Sequence, residues 1–189
     1  MSAVESGRPM LANAQSARIL VNAVAFQAGW FACVLSAARG WPWAGAGVAV
    51  AIVGLHLLRA ARPLEELKLV GIALSIGVVW DSALASLGSL RFTSGVLVDG
   101  IAPPWILAMW ALFATTLNVS LAWLKCRAVV AAILGAVAGP LSYWAGARLG
   151  AVEILARVPA LLALAIGWAV ITPLLAAAAR RFDGIGQAR

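Results

Sequence analysis

Residues 67–87 read LKLVGIALSIGVVWDSALASL, and this stretch decides the fold. Between Lys68 and Asp81 it carries no charge, and its length matches the roughly 20 residues that an α-helix needs to cross the hydrocarbon core of a bilayer. The stretch therefore predicts a transmembrane helix with one carboxylate, that of Asp81, at membrane depth.

Apolar segments of the same kind recur along the chain. Hydrophobic residues make up 63% of the 189 positions and charged residues 11%, whereas soluble domains average roughly 45–50% and about 25%. A soluble fold of this size could not bury so much apolar surface, but a lipid bilayer solvates it. The predicted fold class is an all-α membrane protein, a bundle of about six transmembrane helices. The predicted spans cover residues 19–38, 43–58, 67–87, 103–124, 128–147 and 156–179.

The charged residues predict how this bundle is oriented. The six-helix domain covers residues 18–182, with a flexible polar tail at 1–17 and a short tail at 183–189. The two tails and the second and fourth loops hold ten of the 14 Lys and Arg residues, and the other side holds four. Because Lys and Arg concentrate on the cytoplasmic side, we expect both termini in the cytoplasm. The net charge of +7 does not indicate nucleic-acid binding, because the basic residues separate apolar runs and form no patch.

The tryptophans and cysteines fit the same topology. Four tryptophans fall at predicted membrane boundaries, as in an interfacial aromatic belt: Trp41, Trp43, Trp105 and Trp123. Three others fall deeper and require partners inside the bundle: Trp80, Trp110 and Trp144. Cys33 and Cys126 lie near opposite predicted faces of the membrane, so we expect no disulfide between them.

Asp81 is the most informative polar residue. An aspartate at the centre of a transmembrane helix costs about 2.5–3.5 kcal/mol, so it requires a partner, a water-filled cavity or protonation. Gly77, one helical turn away, lets a neighbouring helix approach closely. We therefore expect Asp81 to face the interior, with Arg148 as its partner and Arg91 as the second candidate. The pattern fits a structural ion pair or hydrogen bond, and it also fits a site for a substrate, a proton or a lipid head group.

The fifth span carries a stripe of small residues on one helical face. It consists of Gly135, Gly139, Ser142, Gly146 and Gly150. Such a stripe predicts close helix packing. Pro140 removes one backbone hydrogen bond in this helix, and the resulting kink lies near Ser142 and Tyr143. The kink would either line a cavity or only bend the helix.

The remaining polar residues favour structural roles. Glu153 and Arg157 are four residues apart, which predicts an ion pair within the sixth helix. Thr115 and Asn118 share a face of the fourth span, which predicts interhelical hydrogen bonds. His56 is the only histidine, and a metal site needs several ligands at set spacing, so we predict neither a metal nor a cofactor.

Several short motifs resemble one protein family. They are Asn22, Phe26, Gln27, Trp30 and Phe31; Trp80, Asp81 and Ser82; Pro104 and Trp105; Trp110 and Phe113; and Gly139, Pro140, Leu141, Ser142, Tyr143 and Gly146. From about Ile19 to the sixth span, the chain resembles domain-of-unknown-function family 2878. The resemblance implies a small multi-pass protein of the bacterial inner membrane, and it implies no activity. Family members are expected near genes for fatty-acid modification, which favours lipid as the ligand class.

Three functions follow from these residues as alternatives. The first is binding or transport of a lipid or small amphiphile, with membrane lipids as partners. Its site residues are Asp81, Trp80, Arg91, Ser142, Tyr143 and Arg148.

The second alternative is a membrane-embedded enzyme that modifies lipids, with Asp81 as acid or base. Asp81 within hydrogen-bond reach of Tyr143 or Ser142 would favour it, whereas the lack of a second obvious acid argues against it, so the sequence leans away from an enzyme. The third alternative is an accessory or scaffold subunit. In that case Gly135 and Gly139 would pack on a partner protein or on a second copy of the chain.

Overall fold

The computed structural model describes residues 7–186, with side chains from residue 13 onward. The described chain forms six α-helices: α1 Gly7–Ala38, α2 Pro42–Arg59, α3 Pro63–Ser86, α4 Pro104–Leu117, α5 Ala128–Leu149 and α6 Arg157–Arg181. A short 3-10 helix, Ala122–Leu124, follows α4. Two strands, β1 Leu90–Phe92 and β2 Val152–Ile154, pair antiparallel and join the α3–α4 loop to the α5–α6 loop.

Five of these helices, all except α4, are long and apolar enough to cross a membrane. The sequence predicts one helix over residues 103–124, but α4 has 14 residues and ends at Leu117. The chain then turns through Asn118 to the 3-10 helix. α4 lies at the centre of the bundle and packs on α1, α2, α3 and α6.

The ends of the chain differ from the predicted tails. α1 begins at Gly7, so part of the tail predicted at 1–17 continues the first helix, while residues 1–6 lie outside the described residues. At the other end, Gly184 and Ile185 are buried against the bundle, and residues 187–189 lie outside the described part.

The glycine face of α5 packs inside the protein. A side chain at Gly135 would overlap Thr172 of α6, and one at Gly139 would overlap the indole of Trp168. These two glycines therefore let α5 and α6 lie in close contact. Gly150 does not extend the face, because it ends α5 in a left-handed conformation with φ of 90°.

The ion pair predicted between Glu153 and Arg157 is wrong. Glu153 lies in β2, directly opposite Arg91 of β1, and the two side chains form an ion pair across the strands. Arg157 is the first residue of α6, so the helix begins too late to bring both residues onto one face. Opposite charges at facing positions of an antiparallel pair favour this register.

The predicted aromatic belt is wrong for Trp105, and for the other three tryptophans it stays a prediction. Trp41, Trp43 and Trp123 are exposed, as expected at a membrane interface. Trp105 is 1% exposed, and its indole N–H donates to the backbone oxygen of Ser94 at 3.1 Å. The long α3–α4 loop therefore covers Trp105 and holds the start of α4.

Candidate functional site

Asp81 lies fully buried between three helices. Its carboxylate accepts a hydrogen bond of 2.6 Å from the indole nitrogen of Trp110 on α4. The other carboxylate oxygen accepts a hydrogen bond from the hydroxyl of Tyr143 on α5. Two donors thus satisfy both oxygens of a carboxylate that would be costly to leave unpaired in an apolar interior.

Gly77 explains how Trp110 reaches Asp81. A side chain at Gly77, one turn before Asp81 on α3, would overlap the five-membered part of the Trp110 ring. Without a side chain there, the indole lies against the backbone of α3 and its N–H points at the carboxylate. The ring also stacks on Trp168 of α6, with centroids 4.9 Å apart and planes 12° apart.

The predicted guanidinium partner of Asp81 is wrong. Arg148 is exposed at the end of α5 and forms no ion pair within residues 13–186, and Arg91 is paired with Glu153. A cation in the last turn of a helix is favourable beside the carbonyl end of the helix dipole, which suits the exposed position of Arg148. The neutral N–H of Trp110 and O–H of Tyr143 donate to Asp81 in place of a guanidinium group.

A cavity of about 320 Å³ adjoins this pair. α1, α4, α5 and α6 form its wall, which is mostly aromatic and aliphatic. Its principal residues include Phe26, Trp30, Trp110, Ser142, Tyr143 and Trp168. Within the described residues, no charged side chain lines it.

The cavity is elongated and open on one side. On α5 its lining runs from Leu134 to Gly146, which corresponds to about 18 Å along the helix axis. α5 packs closely on α6, and α4 packs on α1. Ala138, midway along α5, lines the cavity and is itself exposed, so the cavity opens to the surface at this residue.

The structure separates the predicted site residues into two groups. Ser142 and Tyr143 line the cavity, and Asp81 lies directly behind Tyr143 and Trp110 without lining it. The others lie elsewhere: Trp80 packs against Gly167 of α6, and Arg91 and Arg148 do not line the cavity. The predicted packing residue Gly146 also lies in the cavity wall, 3.4 Å from Val152 when a side chain is built on it.

A second polar cluster lies at the opposite end of α3, and sequence reasoning missed its central residue. Glu66 is 1% exposed and accepts hydrogen bonds from Asn118 at 2.6 Å and from the backbone N–H of Gly184 at 2.8 Å. His56 Nε2 lies 2.8 Å from its other oxygen. Glu65 and Glu66 are adjacent at the start of the third span. In the sequence, the only signal that distinguishes them is the number of residues between each of them and Asp81, which indicates that Glu66 faces the interior.

Asp183 lies beside this cluster and holds the end of the chain through an ion pair and a hydrogen bond to its backbone oxygen. Lys125 Nζ lies 2.8 Å from its carboxylate, and Arg62 donates to its backbone oxygen. Burial opposes ionisation of Asp183, but Lys125 and the backbone N–H groups of Ile185 and Gly186 outweigh it and hold the pKa below its usual value. No group of three His, Cys, Asp or Glu residues in the described chain is arranged to hold a metal ion.

The fold and its long apolar helices define a membrane protein with several transmembrane helices. Residues 19–174 match the family described as "Protein of unknown function (DUF2878)". The chain therefore belongs to domain-of-unknown-function family 2878, as its motifs predict. Comparison with curated proteins and with solved structures finds no match.

Proposed function

We propose that the protein binds a lipid or another small amphiphile in the cavity between α1, α4, α5 and α6. The observation that carries this proposal is an apolar cavity that opens at Ala138, midway along a helix that is long and apolar enough to cross a membrane. Binding pockets for small molecules are mostly apolar with a few placed polar groups, and their volumes begin near 300 Å³. This cavity fits that description at the small end, with Tyr143 as one of its polar groups.

The cavity lining is suited to the hydrocarbon chain of an amphiphile and not to a charged head group. No Lys, Arg or His of the described residues lines the wall, and ionised groups are expensive at membrane depth. The length of about 18 Å along α5 accommodates an extended hydrocarbon chain over more than half of a bilayer core of about 30 Å. The charged part of an amphiphile would remain near the membrane surface.

Photolabelling tests the proposal, because α4 is shielded from bulk lipid. The protein is placed in vesicles that contain phosphatidylethanolamine with a diazirine in one acyl chain, and labelled positions are mapped by mass spectrometry. We expect label on Met109 and Phe113 of α4, which line the cavity. Ile166 of α6 is 68% exposed and serves as the position labelled by surrounding lipid. Label on Ile166 with none on α4 would contradict the proposal.

The hydrogen bond between Asp81 and Tyr143 favours a second candidate, a lipid-modifying enzyme. In this function, the Tyr143 hydroxyl would pass its own proton to Asp81 and take a proton from a ligand in the cavity. We rank it second because the described lining offers no further acid, base or nucleophile besides Ser142 and Thr172 hydroxyls. Turnover of a bacterial lipid extract by the wild type and not by Tyr143→Phe would establish it.

The scaffold alternative requires Gly135 and Gly139 to pack on a partner protein or on a second copy of the chain. Gly135 and Gly139 are buried against α6 and are not available to a partner.

We also infer a location in the bacterial inner membrane with both termini in the cytoplasm, from the distribution of Lys and Arg. Cys126 is exposed on the inferred inner side and Cys33 is buried, so a membrane-impermeant maleimide should label inverted vesicles and spare intact cells. The reverse result would overturn the orientation.

A further inference from the structure

A second, shallow groove lies along the second half of α1. Its apolar lining comes from four residues of this helix: Ala28, Phe31, Ala32 and Leu35. Arg39 and Trp41, which follow the last residue of α1, also line it. The groove thus has an apolar part on the helix and a cation where the helix ends.

This groove is separate from the cavity of the proposed function. Three residues of α1 line that cavity: Phe26, Trp30 and Val34. Ala28, Ala32 and Ser36 of the groove each follow one of these three by two residues. Two residues correspond to about 200° around a helix of 3.6 residues per turn, so the groove and the cavity lie on opposite faces of α1.

The groove has the length of one leaflet of a membrane. From Ala28 to Arg39 it covers eleven residues, or about 16 Å along the helix axis. Half of a hydrocarbon core of about 30 Å has nearly the same length. The apolar run of α1 ends at Ala38, so Arg39 belongs at the level of the lipid head groups and Ala28 near the middle of the bilayer. One extended acyl chain therefore fits along the groove.

Arg39 is available to bind a ligand. It is exposed, it forms no ion pair within residues 13–186, and no Asp or Glu of the described residues lines the groove. Its guanidinium makes one long hydrogen bond, of 3.4 Å, to the backbone oxygen of Leu35, which leaves most of its five N–H donors free. Trp41 is 74% exposed, as suits an indole among head groups.

The hydroxyl of Ser36 is not available in the same way. It donates to the backbone oxygen of Cys33 at 3.1 Å and accepts from the backbone N–H of Gly45 at 3.1 Å. Recognition of a polar group at this groove thus depends on Arg39.

We infer that this groove binds one anionic phospholipid, with the phosphate on Arg39 and one acyl chain along α1. A guanidinium group binds phosphate oxygens through paired N–H donors. A zwitterionic lipid also offers a phosphate, but its ammonium group would find no carboxylate in the groove, so a head group with net negative charge is favoured. The inference does not depend on the proposed function, because it concerns the opposite face of α1.

Photolabelling with two head groups tests the inference. The protein is placed in phosphatidylcholine vesicles with a trace of diazirine lipid, either phosphatidylglycerol or phosphatidylcholine with identical acyl chains. The readout is the ratio of the two labels at Phe31, which is 44% exposed in the groove. Val79 of α3 is 71% exposed and serves as the reference, because each residue lies seven positions before the end of its helix. We expect the ratio at Phe31 to exceed that at Val79 about threefold to tenfold.

Two arginine variants show whether Arg39 causes this preference. Arg39→Gln should lower the ratio at Phe31 to that at Val79. Arg148→Gln should leave the ratio unchanged, because Arg148 is an exposed arginine at the end of α5 and lies outside the groove. Thermal midpoints close to that of the wild type show that both variants are folded. Inorganic phosphate in excess, at constant ionic strength, should not remove the preference, because it has no chain to occupy the groove.

Four results would overturn the inference. They are equal ratios at Phe31 and Val79 in the wild type, an unchanged preference in folded Arg39→Gln, an equal loss in Arg148→Gln, and loss of the preference to inorganic phosphate alone. Absence of either label at Phe31 would also overturn it and would indicate a protein partner or a second copy on the groove. None of these results bears on label at Met109 and Phe113, which tests the cavity separately.

Discussion

The hydroxyl of Tyr143 on α5 donates a hydrogen bond to the carboxylate of Asp81 on α3, and this contact joins the cavity wall to the buried acid. Trp110 of α4 donates to the same carboxylate. One acidic side chain thus fixes the orientation of two aromatic side chains that line the cavity. Asp81 is therefore a positioning residue in this account, and it need not touch a ligand.

Asp81→Asn and Tyr143→Phe should each destabilise the protein by about 1–3 kcal/mol, because each leaves a buried polar group without a partner. The double variant should be less destabilised than the sum of the single variants, with a coupling of about 0.5–3 kcal/mol. Thermal unfolding in detergent measures these differences. Asp99→Asn is the control, since Asp99 is exposed and should change stability little. Strict additivity would show that the two side chains do not interact.

Gly77→Ala should destabilise the protein by about 1–3 kcal/mol, because the new methyl group would displace the Trp110 ring from Asp81. Gly71 lies six residues earlier on the same helix and has open space around it. Gly71→Ala should therefore be neutral or stabilising by up to about 1 kcal/mol. The two variants are compared by their thermal midpoints and by the near-ultraviolet circular dichroism of tryptophan. Equal effects would show that Trp110 does not rest on Gly77.

Glu66→Gln should destabilise the protein by about 1–3 kcal/mol, because a neutral amide oxygen accepts the hydrogen bonds from Asn118 and Gly184 more weakly than a carboxylate oxygen does. Glu65 is its immediate neighbour and forms only a partly exposed pair with Lys68, so Glu65→Gln should change stability by less than about 1 kcal/mol. Thermal unfolding of both variants in one detergent distinguishes them. A larger effect for Glu65→Gln would exclude Glu66 as the centre of this cluster.

The ion pair of Asp183 with Lys125 should make stability depend on pH in acid. Because the pKa of Asp183 is lower in the folded protein, its stabilising effect is complete above the unfolded value of about 3.9 and is lost as pH falls through the folded value. The stability difference between wild type and Asp183→Asn should thus be constant above about pH 5 and shrink below about pH 4. A difference that stays constant down to pH 3 would contradict the assigned shift.

Apolar run length predicts most of this fold, because each run alone can satisfy the requirement of a membrane span. The fourth apolar run predicts a helix that is too long. α4 ends at Leu117, and the next residue, Asn118, donates a hydrogen bond to Glu66 on α3. That ending depends on a residue 52 positions away, so no local pattern reveals it.

The candidate site was predictable in part. The energetic cost of Asp81 at membrane depth indicates correctly that it faces the interior, and the deep position of Trp110 indicates that its indole needs an acceptor. The choice of partner was wrong because charge favours Arg148, whereas helix packing places Tyr143 and Trp110 nearest. Sequence spacing fixes faces of one helix, but it does not fix which helices are neighbours.

The most direct test of the cavity as a lipid site compares two tryptophan substitutions on α5. Both Ala138 and Val137 are exposed, but only Ala138 lines the cavity. With the diazirine lipid, Ala138→Trp should lose most of the label on Met109 and Phe113, whereas Val137→Trp should keep it and both should retain label on Ile166. Undiminished label on α4 in Ala138→Trp would contradict lipid entry through this cavity.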